Sequence, residues 1–324
     1  MTRRSTLFAL ALSASLVAAG CGPATAGRQT VSVAYAGSLQ LVNDQLVGPQ
    51  FTRRFHIPYQ GRGGGSFALA QELVSHEISA NVFISVGPAP IALLEPRFTD
   101  WYVQFATSPL VLAYNPQGAY APQLRAIASG HAPLANLFAI MQRPGFRLGR
   151  TNPSTDPQGR AFALMVELAV GRLHLAPSTV AGVLGGIENP NQIFSETTLD
   201  ARLQAGQLDA ASAFLSQAVQ LHLPYISLPP QIDFGDPAYA AAYASAQIRL
   251  ANGTVIHGGL LSLDITMLKG ADQRAAIDFI NFVLSPAGLA LYRRSGYGIV
   301  PALVVGRQHS IPASVLSQAR ADRG

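Results

Sequence analysis

Val31-Ser32-Val33-Ala34-Tyr35-Ala36-Gly37-Ser38-Leu39 sets the pattern for the chain. Apolar residues alternate through Tyr35, and a glycine and a serine then lead into Leu39, Val42 and Leu46 at helical spacing. The reading is strand, turn, helix. The same device returns in Gln60-Gly61-Arg62-Gly63-Gly64-Gly65-Ser66, where a glycine run delivers a serine to a helix carrying Ala68, Leu69 and Leu73. Serine is favoured at the N-cap, so Ser38 and Ser66 are each expected to cap a helix, and a plain cap is one reading of both. The other reading is an anion cradle. First-turn amides have no acceptor within their own helix and carry partial positive charge, and Gly37 and Gly65 let the backbone approach a ligand closely. Ala80-Asn81-Val82-Phe83-Ile84-Ser85-Val86 then reads as a buried strand. Strands alternating with helices predict an α/β fold with mostly parallel sheets, whose ligands bind beyond the carboxyl ends of the strands.

The composition supports this class and excludes others. The chain has 324 residues, 49% of them hydrophobic, enough for two domains each with its own core. Charged residues make up 12%, and the formal charge of +5 comes from dispersed arginines and the single lysine, Lys269, so no basic stripe suited to nucleic acid is present. Arg3 and Arg4 precede an uncharged run over residues 7–19, then small residues and the only cysteine, Cys21. This reads as an export signal, too short to span a bilayer comfortably. Val17-Ala18-Ala19-Gly20-Cys21 resembles a bacterial lipoprotein processing site with alanine in place of the usual leucine, which would leave Cys21 lipidated. Ala24-Thr25-Ala26 offers a competing small-x-small cleavage site.

Tyr35-Ala36-Gly37-Ser38-Leu39, Gly64-Gly65-Ser66, Ala80-Asn81-Val82-Phe83 and Phe105-Ala106-Thr107-Ser108-Pro109-Leu110 follow one another in order. Asn152-Pro153-Ser154-Thr155-Asp156-Pro157-Gln158-Gly159-Arg160, Leu208-Asp209-Ala210 and Tyr297-Gly298-Ile299-Val300-Pro301-Ala302 continue the series. Together they resemble the periplasmic molybdate/tungstate-binding proteins of ABC importers, over nearly the whole chain after the signal. The resemblance implies two α/β lobes joined by two crossing strands, here near residues 110–114 and 258–263. Residues 1–27 would be the signal and lipoprotein-type N-terminus, residues 28–108 with 259–324 lobe 1, and residues 109–258 lobe 2. It also implies a monomer with no cofactor that holds a small oxyanion in the cleft and hands it to a membrane permease.

The resemblance also directs attention to particular residues. The Pro157-Gln158-Gly159 turn would set a third group of helix-start amides opposite the two serines, with Gln158 or Gly159 as backbone donor. The bacterial type of this family uses a tyrosine where this chain has Phe214, and the archaeal type a glutamate where it has Ala213, so both partners are missing. Asp156 matches a carboxylate that the archaeal type places on the metal of the anion. It is equally suited to capping the following helix, and the expectation is that it does so, leaving a tetrahedral anion. Ser212 or Ser216 could supply a replacement donor or be satisfied locally.

Catalytic motifs are absent from the sequence: no nucleophile elbow, no His-Glu-x-x-His pair and no Walker loop. The seven histidines are spread singly, and no metal site is expected beyond the metal of the anion itself. A hydrolase built on Ser38 or Ser66 would need a base, and neither serine has one close in sequence. Between oxyanions, a fully deprotonated molybdate, tungstate or sulfate is acceptor-only and wants donors, whereas phosphate still carries a proton and needs an acceptor. Asp156 is the one residue in the resemblance that could serve phosphate. Another small solute is the remaining alternative.

Overall fold

The computed structural model describes residues 30–270 and 273–321. The export segment and Cys21 lie outside the described residues. Thirteen strands are described: β1 (Val31–Ala36), β2 (Tyr59–Gly64), β3 (Val82–Val86), β4 (Trp101–Thr107), β5 (Leu110–Tyr114), β6 (Leu148–Gly149), β7 (Ala210–Phe214), β8 (Tyr225–Ser227), β9 (Gln247–Arg249), β10 (Val255–His257), β11 (Ser262–Met267), β12 (Gly298–Gly306) and β13 (Arg320–Ala321). Seven of them form a sheet in the order β13-β12-β4-β11-β3-β1-β2, built from both ends of the chain. The middle of the chain forms a second sheet, β6-β7-β5-β8, and the hairpin β9-β10. Helices cover both faces of the larger sheet, so β1 and β3 are buried almost throughout and read as apolar runs.

The sheets are mixed, where the alternation of strands and helices predicted mostly parallel ones. β1 pairs in parallel with β2 and β3, but β11 runs antiparallel to β3 and to β4, and β12 antiparallel to β4. The reason is connectivity: the chain leaves the large sheet through β4 and re-enters it through β11 beside β4, and an exit and a return in adjacent positions must run in opposite directions. In the second sheet β5 is likewise antiparallel to β7 and β8. The two connecting segments touch where they pass, the Ser108 amide donating to the Leu261 carbonyl at 2.9 Å.

The glycine run before Ser66 is, as far as Gly64, an edge strand, β2, where the sequence pattern suggested a turn. Its glycines are required by packing. A Cβ on Gly61 would lie 2.8 Å from the Tyr35 ring and 2.6 Å from the Tyr59 hydroxyl, so two aromatic side chains close over bare backbone. Beneath, Tyr35, Phe51, Phe105, Phe279 and Tyr292 are buried in the core, and the Tyr292 hydroxyl is satisfied by Asn43 at 2.8 Å. The result is a stiff sheet with the carboxyl ends of β1 and β2 side by side, and the Gly37-Ser38 and Gly65-Ser66 turns leave from those ends.

Candidate functional site

The turn after β1 starts a short 3-10 segment, Gly37–Leu39, whose N-cap is Ala36; the helix Ser66–Val74 is capped by Gly65. Ser38 therefore sits two positions past the cap and Ser66 one, where each was expected to be the cap, and neither side chain makes a capping hydrogen bond. A serine already inside the helical turn cannot reach back to the second or third amide as an N-cap does. The outcomes for the two hydroxyls differ. Ser66 is fully buried and its Oγ accepts from the Val86 amide at 3.3 Å. Ser38 is 3% exposed and its Oγ has no hydrogen-bond partner, while its carbonyl accepts from the Tyr297 hydroxyl at 2.8 Å. A buried hydroxyl without a partner is costly, and a position that retains one calls for a reason.

Opposite these turns stand the loop after β6 and the start of the helix Glu196–Gln204. Together they enclose a cavity of about 380 Å³ whose walls include Gly37, Gly65, Thr151, Asn152, Asp156 and Glu196. A second cavity of about 250 Å³ continues behind Gly37, with Ser38, Glu196, Asp200 and Gln217 in its lining. The two sides meet closely. The Ala68 amide donates to the Thr155 carbonyl at 3.3 Å, and a Cβ on Gly65 would come within 2.7 Å of that same oxygen. The guanidinium of Arg160 lies 3.4 Å from the centre of the Phe67 ring.

Asp156 caps the helix Pro157–Arg172, its Oδ1 accepting from the Gln158 amide at 2.8 Å. This is the orientation the sequence favoured over metal coordination, and it has a consequence for the neighbours. The Gln158 amide, expected to face a ligand, is committed to Asp156, and the Gly159 amide also acts to hold that carboxyl down. The Gln158 side chain is fully buried, donating to Gln217 at 2.7 Å and accepting from Ser212 at 3.0 Å. Ser216 pairs with Ser108 at 3.1 Å. Phe214 is buried in the core with its amide on Gln217. Neither cavity has Ser66, Gln158, Gly159, Phe214, Ser212 or Ser216 in its lining; Ser66 holds the Val86 amide instead, and Gln158, Ser212 and Ser216 serve a buried polar network behind the site.

Sequence reasoning missed Glu196. It is the first residue of its helix, 7% exposed, after the N-cap Ser195. Its Oε2 has no hydrogen-bond partner and would stand 1.9 Å from a Cβ on Gly37, so the bare backbone of Gly37 leaves the space this carboxyl occupies. Burial pushes the Glu196 carboxyl well above the usual range, Asp156 and Asp200 push it further, and the Ser38 amide offsets part of the rise. Burial raises Asp156 to about 6 against the pull of the Gln158 amide, Thr151, the Gly159 amide and Arg160, and raises Asp200 to about 7. No arginine, lysine or histidine is in the lining of either cavity. Nor do three or more His, Cys, Asp or Glu side chains gather into a metal-holding group among the described residues.

A cleft at the carboxyl ends of β1 and β2, walled on its far side by the second sheet's elements, is a place where a small solute can bind. Residues 31–298 match the family of bacterial extracellular solute-binding proteins. The chain belongs to that family. A Haloferax volcanii protein, provisionally named an ABC transporter molybdenum-binding protein, is 31% identical over 293 residues, covering 88% of this chain and 89% of the relative. The same fold is found in the periplasmic molybdate-binding protein of Azotobacter vinelandii (TM-score 0.54, 18% identity, 84% of this chain and 99% of that one). It is also found in the sulfate-binding protein SubI of Mycobacterium tuberculosis (TM-score 0.53, 12% identity, 89% and 90%). As a family member the chain works outside the cytoplasm and binds a solute, a role that calls for no catalytic group.

Proposed function

We propose that the chain is the substrate-binding component of an ABC importer and that its substrate is a tetrahedral oxyanion, molybdate or tungstate. The single observation that carries this reading is the Ser38 hydroxyl, buried, unpartnered and set at the mouth of a helical turn beside the cavity. The molybdenum named for the Haloferax relative supports the choice of anion. In this reading the two sheets are the cores of two lobes, residues 28–108 with 259–324 and residues 109–258, closing over the anion as a monomer. Ser38 and the amides around Gly37 and Gly65 form one wall, Ser66 holds the Val86 amide behind it, and Asp156 stays on its helix as a cap. Lipidation of Cys21 would keep the protein at the membrane surface near its permease, and a Cys21→Ser variant should then be released from the membrane fraction.

Isothermal titration of the chain without its export segment, with molybdate, tungstate, sulfate and phosphate in parallel, tests the function. Tight binding of molybdate or tungstate with weak or absent phosphate binding is expected. If none of the four produces heat or a thermal shift, the oxyanion reading is wrong. Asp156 and Glu196 favour a second reading: as ionised acceptors they suit a solute with its own donors, such as hydrogen phosphate, and the same titration separates the two.

A further inference from the structure

The cavity poses an electrostatic problem. A dianion entering it meets Asp156 and Glu196, with Asp200 one turn further along the helix Glu196–Gln204, and no cationic side chain in the lining. Arg160 acts on Asp156 but stands over Phe67 with its Nε on the Pro153 carbonyl at 2.7 Å. Three ionised carboxylates around a dianion would oppose binding strongly in a site of low dielectric. Neutral carboxyls would not, and each would bring an O–H donor.

Two of the three have other work. Asp156 is held by its helix start, and Asp200 Oδ2 is 3.5 Å from the Gln217 side-chain amide. Glu196 alone presents a buried oxygen with no partner, beside the unpartnered Ser38 hydroxyl, across a gap kept open by Gly37. The groups that face it are Asp156 from the neighbouring helix start, Asp200 from its own helix and Tyr297 from the far side, all acidic when they ionise. None of these three stabilises a charge on Glu196, and the Ser38 amide, the one group that does, offsets only part of the effect of burial and neighbouring charge.

Building on the oxyanion reading, we propose that Glu196 is a specificity residue that binds the anion as the neutral acid, its O–H donating to an anion oxygen beside the Ser38 hydroxyl. Loading of the cleft is then proton-linked. A fully deprotonated oxyanion finds only donors at this point, and the proton it needs is supplied by the protein. As the pH rises through the titration of Glu196 the donor becomes a repelling charge, so affinity falls, by up to tenfold for each pH unit when one proton is linked. Sulfate and tungstate would show the same slope, since the proton belongs to the site.

Titration calorimetry with sodium tungstate, run from about pH 6 to about pH 8.5 in buffers of different ionisation heat, reads both the slope and the number of protons taken up. Wild-type protein should bind less tightly as pH rises, with close to one proton gained above the titration of Glu196. Glu196→Gln offers an N–H donor without a titration. It should keep wild-type affinity at the acid end within a few-fold and lose most of the pH slope. Glu196→Ala should lose affinity across the range. Wild-type affinity that is flat with pH, with no proton exchanged, overturns the proposal without any variant and leaves the oxyanion reading standing. A slope that survives Glu196→Gln and disappears in Asp156→Asn or Asp200→Asn overturns the assignment to Glu196. Absence of binding at every pH by tungstate and by molybdate, sulfate and phosphate alike overturns this proposal and the oxyanion reading together.

Discussion

Ser38→Ala separates a binding residue from a structural one, because the two roles predict opposite signs for stability. In the ligand-free protein the Ser38 Oγ is buried without a partner, so replacing it with a methyl removes an unsatisfied polar atom and no hydrogen bond. The variant should be as stable as the parent or up to about 1 kcal/mol more stable. In the complex the same hydroxyl would donate to a charged oxygen, a bond worth about 1.5–3 kcal/mol, so affinity for tungstate should fall roughly ten- to two-hundredfold. Ser66→Ala is the built-in control. Its Oγ accepts from the Val86 amide, and losing that acceptor in a buried setting should cost stability by about 1–3 kcal/mol. Urea denaturation without ligand and tungstate titration on the same preparations give both numbers. A Ser38→Ala variant that is destabilised by more than about 1 kcal/mol yet binds as tightly as wild type would refute the reasoning, since the hydroxyl would then be a structural element.

Asp156→Asn keeps a competent N-cap, so its fold should hold; tungstate affinity should be unchanged or slightly higher as a negative charge is removed. A loss of a decade or more, with X-ray absorption of the bound tungstate showing more than four oxygens, would mean that the carboxylate coordinates the metal directly. Gly65→Ala places a methyl 2.7 Å from the Thr155 carbonyl, a backbone atom that cannot swing aside. The approach of the two sides should be held open, and small-angle scattering should show no ligand-induced compaction; compaction equal to wild type would count against cleft closure at this contact. Asp264 is fully buried on β11 with Oδ1 unpartnered, and burial raises it to about 7 despite a bond from Ser262 at 2.9 Å. Its folded state binds the proton more tightly than the unfolded chain, so the contribution to stability is greatest below the unfolded value near 3.8 and is lost as pH rises toward about 7. Asp264→Asn should therefore raise Tm at pH 8, by roughly 2–4 °C for each kcal/mol recovered, and flatten the pH dependence of thermal unfolding. An unchanged Tm profile would remove Asp264 as the source.

Local pattern determined a good deal of this protein. The strand, turn and helix from Val31 to Leu46 were written in alternation followed by helical spacing, and the glycine next to each serine marked the turns that border the cleft. The Asp-Pro pair at 156–157 announced a capped helix, and Asp156 does cap it. These are short-range matters, decided by residues within a turn of one another. Tertiary structure decided the rest. The antiparallel pairing of β11 follows from where the chain re-enters the sheet, which no window of sequence contains. Whether Ser66 or Gly65 is the cap turns on one residue of register, and the glycine run that reads as a turn is an edge strand with Tyr35 and Tyr59 closed over Gly61. Glu196 shows the difference most clearly. In sequence Ser195-Glu196 ahead of Leu199 and Leu203 is an ordinary helix start with an acid in its first turn, and the same residues would look no different on any surface helix. Only folding brings that carboxyl against Gly37, beside Ser38 and close to Asp156 and Asp200. Burial and neighbouring charge are properties of a place in space, and they, more than the residue type, set what the Glu196 carboxyl can do.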